Sequence, residues 1–142
     1  MTEDRPQALA AATRALAKRD FSADGLRERL AHAGVEPSEA DEAVAALERA
    51  GLVGDERFAR NRAQALAERG KGDAAIRFDL ERQGVGAELV DESIAALEPE
   101  RDRAERIVSR RGPGAKTARL LAARGFGSEH AERATETSVA SD

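Results

Sequence analysis

Covalent chemistry at neutral pH needs a base near a nucleophile, and the two histidines, His32 and His130, are the natural candidates. His32 falls near a helix end and His130 in a weakly apolar last helix. No Ser, Cys or Asp/Glu constellation accompanies either of them, so both read as surface or terminal residues. The chain has no Cys, which removes disulfides, thiolate nucleophiles and thiolate metal sites. Arg69-Gly70-Lys71-Gly72 and Gly112-Pro113-Gly114 superficially suggest phosphate-cradling loops. Neither follows a strand or carries the full Walker spacing, so both read as turns between helices. No catalytic residue, metal or cofactor is assigned, and the chain reads as a non-enzyme.

What the residues do offer is an uneven charge. The net charge is −4, but residues 1–55 hold 7 basic and 11 acidic side chains, whereas residues 101–124 hold 8 and 2. One basic group comprises Arg57, Arg60, Arg62, Arg69, Lys71 and Arg77. A second comprises Arg101, Arg103, Arg106, Arg110, Arg111, Lys116, Arg119 and Arg124. Such faces are either simply solvated or suited to an acidic protein surface or a phosphate backbone. A helix-turn-helix DNA reader is disfavoured. Its groove-entering helices would carry Glu39, Asp41, Glu42 and Glu48 in one copy and Glu88, Asp91, Glu92 and Glu98 in the next. With Phe58 the only aromatic from Gly25 to Arg77, base stacking has little support, and Phe58 itself reads as core.

The elements that carry these charges are helices. Ala, Leu, Glu and Arg dominate, β-branched runs are almost absent, and aromatics are only 3%, so cores must be aliphatic. No apolar run approaches a membrane span and no signal peptide is evident, so a cytoplasmic protein is expected. A first helix is predicted from Pro6 to Arg19. Ser22 caps a second that carries Leu26 and Leu30 and ends at Gly34. Pro37 opens a third, with Val44 and Leu47 inward, which stops at Gly51.

The pattern returns at an offset of fifty: Leu26 matches Ile76, Leu30 matches Leu80, and Gly34-Val35 matches Gly84-Val85. A third copy follows at forty-one, with Leu80 matching Leu121 and Gly84 matching Gly125. The expectation is an all-α chain of tandem three-helix repeats at 8–53, 54–99 and 100–137, forming an elongated, curved array. Residues 1–7 are expected to be flexible and 138–142 disordered. The last helix, Ser128 to about Thr137, has no large apolar residue and is expected to be poorly anchored.

Asp55-Glu56-Arg57-Phe58-Ala59 opens the second repeat, with Asp55 expected to cap its own helix and Phe58 to enter the core. Together with Arg69-Gly70-Lys71-Gly72, Ile76-x-x-x-Leu80-x-x-x-Gly84-Val85 and the upstream Leu26-x-x-x-Leu30-x-x-x-Gly34-Val35, it resembles the RecX family of regulatory proteins. The resemblance covers roughly residues 8–134. It implies tandem three-helix repeats and a monomer without enzymatic activity or cofactor. It also implies that the partner is the RecA recombinase filament, whose ATP hydrolysis and strand exchange such proteins inhibit. This modulates recombination and the SOS response. The basic residues named above, Arg101 excepted, are the candidate contacts, with a weak DNA-backbone contribution. A non-sequence-specific nucleic-acid-binding module is the alternative reading.

Overall fold

The computed structural model describes residues 4–140, with side chains for residues 7–136. Among the described residues there are nine helices and no strand. They are α1 (Asp4–Lys18), α2 (Ala23–His32), α3 (Pro37–Arg49), α4 (Asp55–Glu68), α5 (Asp73–Arg82), α6 (Ala87–Ala95), α7 (Glu100–Arg111), α8 (Ala115–Ala123) and α9 (Ser128–Ala140). The first helix starts at Asp4, ahead of Pro6, and the last runs past Thr137. Residues 1–3 and 141–142 of the expected flexible ends lie outside the described residues.

The buried residues fall into three clusters, each built by three consecutive helices and the chain that follows them. Leu26, Leu30, Val44 and Leu47 anchor the first. Phe58, Leu66, Ile76, Leu80 and Val90 anchor the second, and Ala104, Leu121, Phe126 and Ala134 the third. The periodicity that aligned the repeats thus marks equivalent core positions, with Leu26, Ile76, Leu30, Leu80 and Leu121 all essentially inaccessible. The accessible surface, 8827 Å², exceeds the ~7,100 Å² expected of a globular monomer of 15.1 kDa, as an extended array requires.

The middle helix of each repeat ends in the same way. Val35 donates to the Leu30 carbonyl at 3.0 Å, Val85 to Leu80 at 3.1 Å and Phe126 to Leu121 at 3.0 Å. Closing that loop requires a left-handed residue between, supplied by Gly34, Gly84 and Gly125 with φ of 85°, 82° and 89°.

The repeats are joined by a seam that recurs. At the first, Ser22 accepts from the Gly25 amide at 2.9 Å, as a cap should, and donates its hydroxyl to the Gln83 carbonyl of the next repeat at 2.5 Å. At the second, the equivalent Gly72 donates its amide to the Arg124 carbonyl at 2.8 Å. A carboxylate completes each seam. Asp55 accepts from the Ala23 amide at 2.8 Å, and Glu100 accepts from the Asp73 amide at 2.6 Å. Both acids stand at the first position of a repeat's first helix and satisfy an orphan amide at the start of the previous repeat's middle helix.

This corrects the expectation for Asp55. The residue capping α4 is Gly54, without a side-chain bond, while the Asp55 side chain reaches back to α2. The expectation of a poorly anchored last helix is also corrected. Ala134 is 1% exposed, its carbonyl accepts from Gly114 at 3.0 Å, and α9 packs on α7 and α8. Small side chains anchor it by close approach instead of by bulk.

Candidate interaction surface

The thirteen basic residues proposed from the sequence divide sharply once their partners are known. Arg103 is 8% exposed and cannot meet an outside partner. Its guanidinium donates to the carbonyls of Glu98 at 2.8 Å and Lys71 at 3.0 Å and closes on the Asp73 carboxylate, beside the Phe126 ring. It is a clamp between the second and third repeats, and its assignment to the partner surface is corrected.

Arg62 is also committed internally. It makes a two-pronged pair with Asp79, at 2.8 and 2.9 Å, which ties α4 to α5. The hydrogen bond that Arg62 donates to Asp79 raises the Arg62 pKa above its ordinary value, against the opposing effect of partial burial, so this cation stays charged. Arg77 pairs with Asp91 at 2.8 Å, repeating the Arg27–Asp41 pair of the first repeat at 3.1 Å. Arg60 pairs with Glu56 at 3.3 Å and Arg106 with Glu98 at 2.5 Å. Arg57 donates to the carbonyls of Gly51 and Leu52, both at 3.3 Å. These four are solvent-facing, so their pairs are weak and open to exchange.

What remains is a set without acidic partners among the described residues: Arg69, Lys71, Arg110, Arg111, Lys116, Arg119 and Arg124. All are exposed except Arg124, which is half-buried. Arg69 and Lys71 lie in the turn after α4. The Arg124 guanidinium lies over Gly70 in that same turn, close enough that a Cβ there would be 2.6 Å from its Nη1. Arg110 lines a groove with Gln64 and Glu68 of α4. The end of α4 therefore gathers Arg69, Lys71, Arg110 and Arg124, whereas Arg111, Lys116 and Arg119 continue along α7 and α8.

The structure also brings Glu100, distant in the sequence, to His130 and its neighbour Glu129. His130 lies 3.1 Å from Glu100 and 3.3 Å from Glu129, with its side chain only 11% exposed. The expectation of a terminal histidine without an acidic constellation is corrected. The three groups lie within 4.8 Å of one another, a spacing open to a metal ion. Glu100, however, already accepts from the amides of Asp73 at 2.6 Å and Gly127 at 3.3 Å, which makes the group a latch within the second seam. His32 bonds only the Glu28 carbonyl, at 2.9 Å, and is exposed. Phe78, on the outer face of α5, is 52% exposed with Arg82 5.8 Å from its ring. The alternation of Ile76 and Leu80 on the opposite face was the available sign that Phe78 points outward.

With this geometry in place, comparison with known proteins is informative. Residues 55–94 match the second three-helix domain of RecX. The regulatory protein RecX of Deinococcus radiodurans is 33% identical over 135 residues, covering 88% of this chain and 65% of that protein. That of Chromohalobacter salexigens is 36% identical over 132 residues, covering 87% of each. The chain belongs to the RecX family. The domain match opens at Asp55, the residue that ties the first two repeats, and extends into α6.

Solved RecX structures share the fold. RecX from Lactobacillus salivarius superposes with a TM-score of 0.78 at 15% identity, over 96% of this chain and 97% of that one. Another crystal structure of regulatory protein RecX gives 0.77 at 16% identity, over 95% and 73%. At such identities the likeness concerns the tandem three-helix architecture alone. Among the described residues, no helix of this RecX-family chain is long and apolar enough to cross a membrane.

Proposed function

We propose that this chain binds the RecA recombinase filament and inhibits its ATP hydrolysis and strand exchange, thereby modulating recombination, DNA repair and the SOS response. Membership of the RecX family carries this reading. An extended array of repeats suits it, because successive repeats can reach neighbouring protomers of a polymer. In this reading the repeats are 8–53, 54–99 and 100–137, and the protein acts in the cytoplasm as a monomer, without catalysis or cofactor. The unpaired cations Arg69, Lys71, Arg110, Arg111, Lys116, Arg119 and Arg124 are its candidate contacts, with a lesser DNA-backbone contribution.

The test is RecA's DNA-dependent ATP hydrolysis as the protein is titrated in at substoichiometric amounts. Inhibition well below one copy per recombinase is expected. No effect at excess, with the recombinase of the same organism, would refute the reading.

The second reading, a non-sequence-specific nucleic-acid binder, draws on the run of unpaired cations along α7 and α8. It requires tight binding to bare single-stranded DNA at physiological salt and a steep loss of affinity as salt rises. Such binding without filament binding would put it first.

A further inference from the structure

The groove at the seam of the second and third repeats combines two features that neither alone would make informative. Part of its lining is apolar, formed by Ala67 of α4, Leu97 after α6, Ile107 of α7 and Phe126, beside the polar Gln64, Glu68, Glu98, Arg103 and Arg106. Its volume is about 230 Å³, and Arg110 stands on its wall. Two acids, Glu68 and Glu98, also stand on its walls. Glu98 holds Arg106 at 2.5 Å, and Glu68 accepts from Gln64 at 3.2 Å. The cations at the same end of α4 have no such engagement, and Arg69 and Lys71 project into solvent from the adjoining turn.

The geometry points to this groove as the docking site for an acidic protein segment that carries an apolar anchor residue. The anchor enters between α4 and α7, and carboxylates on either side of it meet Arg110 and the Arg69–Lys71 turn. An apolar centre with a charged rim is the usual build of a protein–protein contact. A phosphate backbone fits less well. It has no side chain for the apolar part of the lining, and Phe126 is too buried to stack on a base. In naming the surface that meets a recombinase filament, this inference rests on the function proposed above. The docking chemistry itself can be tested apart from it.

The experiment compares the wild type, the Arg69→Glu/Arg110→Glu double variant and an Arg14→Glu control. Arg14 is an exposed cation of α1, remote from the seam. Each is assayed by fluorescence anisotropy against three probes: RecA filaments, a labelled peptide of alternating Glu-Glu-Leu units, and a labelled oligothymidylate. Circular dichroism verifies that each variant keeps its helices.

The double variant is expected to lose roughly tenfold or more in affinity for filament and peptide, with the control unchanged. A peptide with Ser in place of Leu is expected to bind more weakly than the parent peptide. Peptide binding that depends on Arg69 and Arg110, without filament binding, would support the docking site and refute the RecA reading. Filament binding equal in wild type and double variant would overturn the docking site and leave the RecA reading standing. Loss of oligothymidylate binding alone would make the groove a phosphate site and overturn the proposal. Equal affinity for the Ser and Leu peptides would remove the apolar anchor from it.

Discussion

The Asp55 carboxylate accepts the amide of Ala23 at 2.8 Å, so the residue that opens the second repeat holds the helix that centres the first. Ala23 is 6% exposed, and its amide has no other partner in the turn that precedes α2. Removing the acceptor would leave a buried donor unsatisfied. Asp55→Ala is therefore expected to cost about 1–3 kcal/mol in urea unfolding. Asp55→Asn keeps an acceptor oxygen at the same reach and should cost less. Equal losses in the two variants would show that charge at the start of α4 matters more than the seam bond.

Arg103 fastens the second seam from the other side, and it is too buried to exchange its partners for water. Truncating one member of a buried pair leaves the other charge uncompensated, at about 3–5 kcal/mol. Because the Asp73 side chain left behind is 36% exposed and can be hydrated, Arg103→Ala should fall short of that range, and it should loosen α7, α8 and α9 first. Hydrogen exchange checks this, since protection should fall in the third repeat before the first. Uniform loss along the chain would argue that the repeats unfold together.

Core positions offer a simpler contrast. Leu80 is fully buried, whereas Leu9 on α1 is 40% exposed. Leu80→Ala should cost about 2–5 kcal/mol through lost burial and the cavity left behind. Leu9→Ala should cost clearly less in the same thermal or chemical unfolding assay.

Gly72 is where one backbone lies against another. A Cβ there would sit 2.4 Å from the Gly125 carbonyl carbon and the Phe126 nitrogen, atoms that cannot rotate away. Gly72→Ala should force the second seam apart and cost about 1–3 kcal/mol or more. Gly86, which caps α6 with nothing within 4 Å of an added Cβ, provides the comparison. Gly86→Ser should be neutral or gain a few tenths of a kcal/mol by supplying a capping hydroxyl.

The sequence displays most of what lies within a repeat. Leu30, Leu80 and Leu121, each followed by its glycine, could be aligned because helical periodicity and a left-handed stop are local properties. The seams are not local. Arg103 and Asp73 are thirty residues apart, and their meeting depends on how the third repeat lies against the second. Nothing in either flanking pattern records that placement. For the same reason Asp55 read as the cap of its own helix, a role that its position satisfies equally well in sequence. Glu129 stands beside His130 in the sequence, but Glu100, the acid that ties His130 into the seam, lies at the far end of the repeat. The thirteen basic residues looked equivalent because pairing is a tertiary property. Arg62 and Arg110 differ only in that an aspartate on the neighbouring helix faces the first.

That difference separates two kinds of arginine by experiment. Reversing Arg110, Arg111 and Arg119 to Glu changes charges that have no acidic partner among the described residues, so helicity should be kept. The melting temperature should fall only by the small cost of placing two carboxylates in the last turn of α7. If these residues face the filament, binding should weaken, because attraction becomes repulsion at several points of one surface. Arg62→Glu places a second carboxylate against Asp79 and should lower stability through α4 and α5. Any loss of filament binding in that variant should track its unfolding. Binding and stability measured side by side therefore assign each cation to the surface or to the scaffold. Unchanged filament binding in the triple variant would move the interface away from α7 and α8.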